Sequence, residues 1–284
     1  MATLILQNRI DFCGIIVAER CNPNGDPLDG NAPRQDFSGH GIISDVCLKR
    51  KIRNWLQDTG HEIFVARQQD LKPGEFSLKD RAASVPEMSK PKKERDEAIF
   101  LKEVCEKWID VRAFGQVFAF RGDNFITTQV RGPVSVTEAR TLEWVHTESI
   151  EITKCVNLDD PKRKGDDFSG DRMGYVHVID HGAYVFTGSM FPQLAKTTGF
   201  SEDDSCVILD AIQHMFQNDS SFHRPSGSIG LHKLYVWRHN CPNGQYSPIK
   251  VFRSLHLTSA DEYPYYTARL ENLPGLEPEI IDGW

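Results

Sequence analysis

Asn22-Pro23-Asn24-Gly25-Asp26-Pro27, followed by Gly39-His40-Gly41-Ile42-Ile43-Ser44-Asp45-Val46-Cys47-Leu48-Lys49-Arg50-Lys51-Ile52-Arg53, is the stretch whose reading decides the fold. Residues 12–17 just before it are an apolar, strand-like run, and the Asn, Pro and Gly cluster predicts a turn-dense loop. From Ser44 onward the pattern is helical. Ser44 or Asp45 can cap, Leu48, Ile52, Trp55 and Leu56 recur at i, i+4, i+7 and i+8, and Gly60 ends the run. A strand thus feeds a loop, and the loop feeds a helix with a basic face.

Working outward, strand-like runs rich in Val, Ile, Phe, Tyr and Thr are expected at residues 62–65, 117–120, 134–136, 150–156, 175–179, 183–187, 231–237 and 249–257. A second helix is expected over about 93–109. A third opens at Ser201, where Glu202-Asp203-Asp204 puts acids in the first turn, and runs to about 218. Many strands with a few helices predict an α+β domain with a mainly antiparallel sheet. Residues 67–96, rich in Lys, Pro and Glu, look like an insertion. Residues 157–174 are charged, glycine-punctuated and flanked by strands, which fits either the tip of a projecting β-hairpin or a solvated loop.

The 284 residues are enough for one large domain, and 39% hydrophobic with 26% charged residues is ordinary for a soluble globular chain. No apolar run is long enough for a signal peptide or a membrane span, so a cytoplasmic protein is expected. Seven scattered cysteines without a Cys-x-x-Cys pair predict reduced thiols, not a disulfide framework or zinc ribbon. The net charge of −7 speaks against loose binding to DNA, but the acid excess lies mostly after residue 200. Charges are screened beyond roughly 8–10 Å in cell-like salt, so a local basic track can coexist with an acidic total.

On the first helix, at about 100° per residue, an apolar stripe against the core puts Lys49 and Arg53 on the flank and Arg50 outside. Lys49 and Arg53 stand roughly 6 Å apart along the axis, near the spacing of successive phosphates. The helix start adds free N–H groups, and Asn22, Asn24 and Gly25 allow backbone to approach a ligand. The same cations would also serve as a plain solvated face. Arg112-Ala113-Phe114-Gly115 and Arg131-Gly132 each set a cation beside a glycine near a strand edge, where backbone and guanidinium could meet a nucleotide. Met173, beside Gly174 and Tyr175, could wedge between bases.

Enzyme signatures are weaker. Asp26, Asp29 and Asp36 with His40 match no EF-hand spacing and sit where Asx-turns are common. His177 and His181 fall in strand-like surroundings, so no metal is assigned to them. No Gly-x-Ser-x-Gly, Walker or dinucleotide motif is present. The competing reading is a metal-dependent endoribonuclease in which Asp26 or Asp36 holds Mg²⁺.

The two opening motifs, with Asp110-Val111-Arg112-Ala113-Phe114-Gly115, Gly132-Pro133-Val134-Ser135-Val136 and Ser149-Ile150-Glu151-Ile152-Thr153, resemble in this order the backbone subunit of the type I-C CRISPR Cascade, in the seventh Cas protein family. The resemblance implies a hand-shaped domain with an RNA-recognition-motif-like (ferredoxin-like) palm. Its parts would be a palm of residues 1–66, 110–156 and 179–284, a helical fingers insertion of 67–109 and a thumb hairpin of 157–178. It implies a non-catalytic scaffold without a cofactor. Copies would stack head to tail into a filament on CRISPR RNA, beside other Cascade subunits, and present the guide to target DNA. The contacts it implies fall on Asn22, Asn24, Ser44, Asp45, Lys49 and Arg53. Arg50, Arg112, Phe114 and Arg131 join them as RNA-binding candidates. Lys162, Arg163, Arg172, Met173 and Tyr175 are assigned to the thumb.

Overall fold

The computed structural model describes residues 4–120, 125–153 and 173–284. At its centre lies an eight-stranded antiparallel sheet. Across it the order is Glu279–Asp282, Ile229–Arg238, Ile10–Cys21, Met173–Met190, Ala139–Trp144 and His40–Ile43, with Val134–Val136 and Thr147–Thr153 also pairing with Met173–Met190. The mixed α/β architecture with a large antiparallel sheet agrees with the expectation from sequence.

Residues 12–18 of the strand Ile10–Cys21 read as a continuous apolar run because both faces of the strand are covered there. Phe12, Ile16 and Ala18 join the larger core with the helices Asp45–Asp58 and Glu202–His214. Cys13, Ile15 and Val17 point the other way, into a second core closed by the helix Pro248–Arg253 and the hairpin Leu255–Ser259/Tyr266–Leu270. Two aromatic rings sit over glycines across the strand pair: Phe12 faces Gly188, and Phe186 faces Gly14. A Cβ on Gly188 would stand 2.1 Å from the Phe12 ring. The Gly39-His40-Gly41 motif has a similar cause, since a Cβ on Gly41 would stand 2.4 Å from the buried Tyr184 hydroxyl.

The helix Asp45–Asp58 buries Leu48, Ile52 and Leu56 completely. At about 1.5–3 kcal/mol per side chain, that stripe is what holds the helix to the sheet. A third core lies between residues 64 and 130: Phe64, Met88, Phe100, Trp108, Phe118 and Val130 pack together, with ring centroids 4.9 Å apart for Phe64–Trp108 and 5.1 Å for Phe100–Phe118. This core draws on residues past Ile109 as far as Val130. Arg81 pins it to the main body by donating to the Phe64 carbonyl at 2.9 Å and the Ile63 carbonyl at 2.6 Å.

Several elements differ from the expectations. Residues 62–65 form no strand; the Phe64 and Val65 amides are taken up by the Asp110 carboxylate. The expected strand at 249–257 is a helix, Pro248–Arg253, followed by the strand Leu255–Ser259, because Pro248 sits at the first helical turn, where its missing N–H costs nothing. The second helix is shorter, Glu97–Lys107 with Asp96 as cap, and the chain re-enters a helix at Ile109–Phe114. Residues 175–179 and 183–187 belong to one strand, since Gly182 packs tightly against Thr141 and Val145 instead of turning.

Candidate nucleic-acid interface

The loop after Ile10–Cys21 is built by its own side chains. Asp26 makes an Asx-turn, accepting the Leu28 amide at 3.0 Å, and its backbone carbonyl accepts the Asn31 amide at 2.8 Å. Asn22 is only 1% exposed; its Nδ2 donates to the Asn31 carbonyl at 2.7 Å. Asn24 Oδ1 accepts both the Ser44 amide at 2.9 Å and the Ser44 hydroxyl at 3.1 Å. Ser44 in turn caps the helix by accepting the Cys47 amide. Loop and helix start are therefore one fastened unit, with Asn22 shaping it from inside.

The helix cations have partners of their own. Lys49 pairs with Asp45 one turn earlier at 3.0 Å. Arg50, expected to point outward, turns back and donates to the Val65 carbonyl at 2.7 Å, and burial, with Arg53 nearby, draws its pKa below the usual value. Arg53 donates from Nε to Asp110 at 2.8 Å and lies 5.2 Å from the Phe114 ring centroid. Its side chain is 13% exposed and that of Asp110 1%. Asp110 also accepts the Phe64 amide at 2.6 Å and the Val65 amide at 3.1 Å, so Arg53 is tied to the edge of the third core.

Of the later candidates, the structure brings Phe114 and Arg131 together and holds Arg112 apart. Arg112 forms a two-pronged pair with Asp204, at 2.9 and 2.7 Å, and also donates to the Cys105 carbonyl at 2.6 Å. This joins Ile109–Phe114 to the start of Glu202–His214. The two glycines beside the cations serve a backbone crossing: a Cβ on Gly132 would stand 2.2 Å from the Ala113 carbonyl oxygen, and one on Gly115 would stand 2.4 Å from that of Val130. The hairpin Gly115–Phe118/Thr128–Arg131 that grows from this crossing borders an open cleft of about 700 Å³ lined by Phe114, Gln116, Val117, Gln129 and Arg131. Phe114 thus connects the helix flank, through Arg53, to that cleft.

Three further cations stand at the loop and were not picked out from sequence. Arg34 pairs with Asp26 at 3.3 Å. Buried Lys51 and partly exposed Arg224 both hold Asp219, and Arg224 also reaches the Asn22 carbonyl. Lys51 was visible in the basic run, but only its place on the inner side of the helix turns it toward Asp219. Arg224 has no local signal, because it arrives from a distant loop.

The stem Thr147–Thr153/Met173–Ile179 is a paired hairpin, in register from Ile179↔Thr147 to Met173↔Thr153. Tyr175 is 61% exposed on it and lies 6.4 Å from His177, which pairs with Ser149 at 2.8 Å. Lys162, Arg163 and Arg172 lie outside the described residues, as does the side chain of Met173.

The loop acids are engaged as turn formers. Asp36 accepts the Ser38 and His40 amides at 2.8 and 3.0 Å and pairs with Arg140 at 2.7 Å. Although partial burial opposes it, the Arg140 guanidinium and the two amides hold its carboxyl below the usual range. Among the described residues, no three His, Cys, Asp or Glu side chains converge to hold a metal ion. No helix among them is long and apolar enough to cross a membrane.

A broad antiparallel sheet with a fastened loop–helix junction and an adjoining open cleft defines a class of chain that presents a rigid polar rim. The particular family follows from comparison: residues 8–270 match the family model for CRISPR-associated protein Cas7, and the chain belongs to that family. The curated CRISPR-associated protein Cas7 of Haloferax volcanii is 28% identical over 218 residues, covering 69% of this chain and 61% of that protein. The chain therefore spans less than two thirds of that relative's length. In solved structures, a chain of a CRISPR RNA-guided surveillance complex (pre-nicking) superposes over 90% of this chain and 84% of its own, with a TM-score of 0.51 and 16% identity. It supports the fold. A chain of a second CRISPR RNA-guided surveillance complex covers 90% of this chain and 77% of its own at 16% identity, with a TM-score of 0.47.

Proposed function

We propose that this chain is a CRISPR RNA-binding backbone subunit of a type I-C Cascade, with copies arranged head to tail along one guide. Membership of the Cas7 family over residues 8–270 is the observation that carries this reading. In it, the sheet is the RNA-recognition-motif-like palm, the region with its own aromatic core is the fingers, and residues 157–178, whose described part belongs to the stem paired with Thr147–Thr153, are the thumb. The guide backbone runs over the Asn24–Ser44 junction and past Lys49, and then reaches Arg131 in the cleft beside Phe114. Guide sequence varies, so the protein uses phosphate and shape contacts, and target DNA is recognised by pairing with the guide.

The test is RNA binding by Lys49→Ala and Arg131→Ala, both at cations that can be removed without baring a buried partner. Each is expected to weaken binding of single-stranded RNA about three- to tenfold and to lower the salt dependence by about one ion. Wild-type affinity in the double variant would remove this track. Incubation of the RNA complex with Mg²⁺ should leave the RNA whole; cleavage lost in Asp26→Asn or Asp36→Asn would favour the endoribonuclease instead.

A further inference from the structure

We propose that a slot on the sheet face opposite the first helix is a docking site for a lysine- or arginine-bearing segment of a partner protein. The slot is lined by Leu142, Glu143, Trp144, His181, Ser259 and Tyr265. Its aromatic surface is held out to solvent: Trp144 is 67% exposed, and the ledge continues past Tyr265 to Tyr263, 66% exposed. Tyr265 stacks on His181 with centroids 4.2 Å apart, and Tyr263 meets His232 edge-on at 5.8 Å. Exposed aromatic side chains gathered on one ledge mark contact surfaces, where Trp and Tyr supply much of the binding free energy.

The surrounding charge chooses the occupant. Glu143 lines the slot, accepting the Ser259 hydroxyl. Glu19 accepts from the Tyr265 hydroxyl; burial and this neighbouring carboxylate push the Tyr265 pKa up. Asp180 pairs with His181 at 3.1 Å, and Glu148 stands just beyond, with Arg20 set between Glu148 and Asp180 at 2.5 and 3.9 Å. Four carboxylates therefore face one guanidinium around two aromatic faces. A cationic side chain gains both the ring faces and the acids. A phosphate chain would meet four like charges, so this face is complementary to a basic peptide and not to nucleic acid. The backbone is also committed here: Arg20 at φ 49° and Tyr265 at φ 66° both hold the left-handed conformation that non-glycine residues avoid. None of these residues belongs to the proposed RNA track, so this inference stands apart from that reading.

The experiment titrates a fluorescein-labelled octapeptide of alternating arginine and glycine into the full chain by fluorescence polarisation, beside a glutamate–glycine counterpart. Trp144→Ala and Glu143→Gln, at exposed positions, are compared with Glu277→Gln, an exposed acid elsewhere. The arginine peptide alone should bind, and each slot variant should weaken it about five- to tenfold. Glu277→Gln should leave it unchanged. No binding to the wild type, or equal weakening by Glu277→Gln, would overturn the proposal. So would an RNA oligonucleotide whose binding, unlike the peptide's, is lost in Trp144→Ala.

Discussion

At the residue scale, the cations of the first helix have unequal consequences. Removing Lys49 breaks only a half-exposed pair with Asp45, worth a few tenths of a kcal/mol. Removing Arg53 leaves the Asp110 carboxylate buried with two amide donors and no hydrogen-bonded cation, Arg50 acting on it only through space. Arg53→Ala should therefore lower stability by about 2–3 kcal/mol, read as an earlier urea midpoint, whereas Lys49→Ala should change stability by less than about 0.5 kcal/mol and leave the midpoint nearly unmoved. Equal midpoints would show that Asp110 is satisfied by its amides alone. RNA binding lost in Arg53→Ala must accordingly be judged against folding, a complication that helical spacing did not reveal. Lys49 and Arg53 share a flank in sequence, but the partner that fixes Arg53 lies at position 110, beyond the reach of any local pattern.

At the scale of elements, the legible parts were those with strong local rules. The helix Asp45–Asp58 was marked by its Ser44 cap and its apolar repeat, and Glu202–His214 by Ser201 and the acids after it; its cap is a full capping box with Asp204. Pro248 and Pro192 were available as helix starts, yet the β-branched residues around Pro248 outweighed the first, and the short run after the second escaped notice. Asp204 also illustrates how two elements are joined. Burial would raise its pKa, but Arg112 and the Ser201 amide hold it below the usual carboxylate range. A depressed folded pKa gives stability that is present above the unfolded value near 3.9 and lost as pH falls through the folded one. Arg112→Gln should thus cost stability at pH 7 and much less near pH 2, measured as the difference in thermal midpoint from the wild type. A difference that stays constant with pH would mean that the pair contributes through shape alone. Similarly, Arg81→Ala should loosen the third core first, seen as faster amide exchange at residues 97–107 than in Ile10–Cys21.

For the whole molecule, the antiparallel sheet followed from strand-like runs of the right length, while its order and the covering of both its faces did not, because pairing between distant strands leaves no mark in either strand. The proposed division into palm, fingers and thumb makes a direct prediction. Removing residues 157–172, beyond the paired end of the stem, should leave the melting temperature within a few degrees, since the described stem pairs Thr147–Thr153 with Met173–Ile179 without them. Electron micrographs of the variant with guide RNA should show bound protein without a regular repeat. Ordered filaments would separate that segment from assembly. Finally, the strand Ile10–Cys21 has a consequence in time. Ile10 pairs with Met190 on one side and Arg238 on the other. At translation rates of about 5–20 residues per second, its first neighbour emerges on the order of ten seconds after it, and the second later still. This strand is made well before either of the neighbours that cover its edges, so the nascent chain spends that interval with its future centre uncovered.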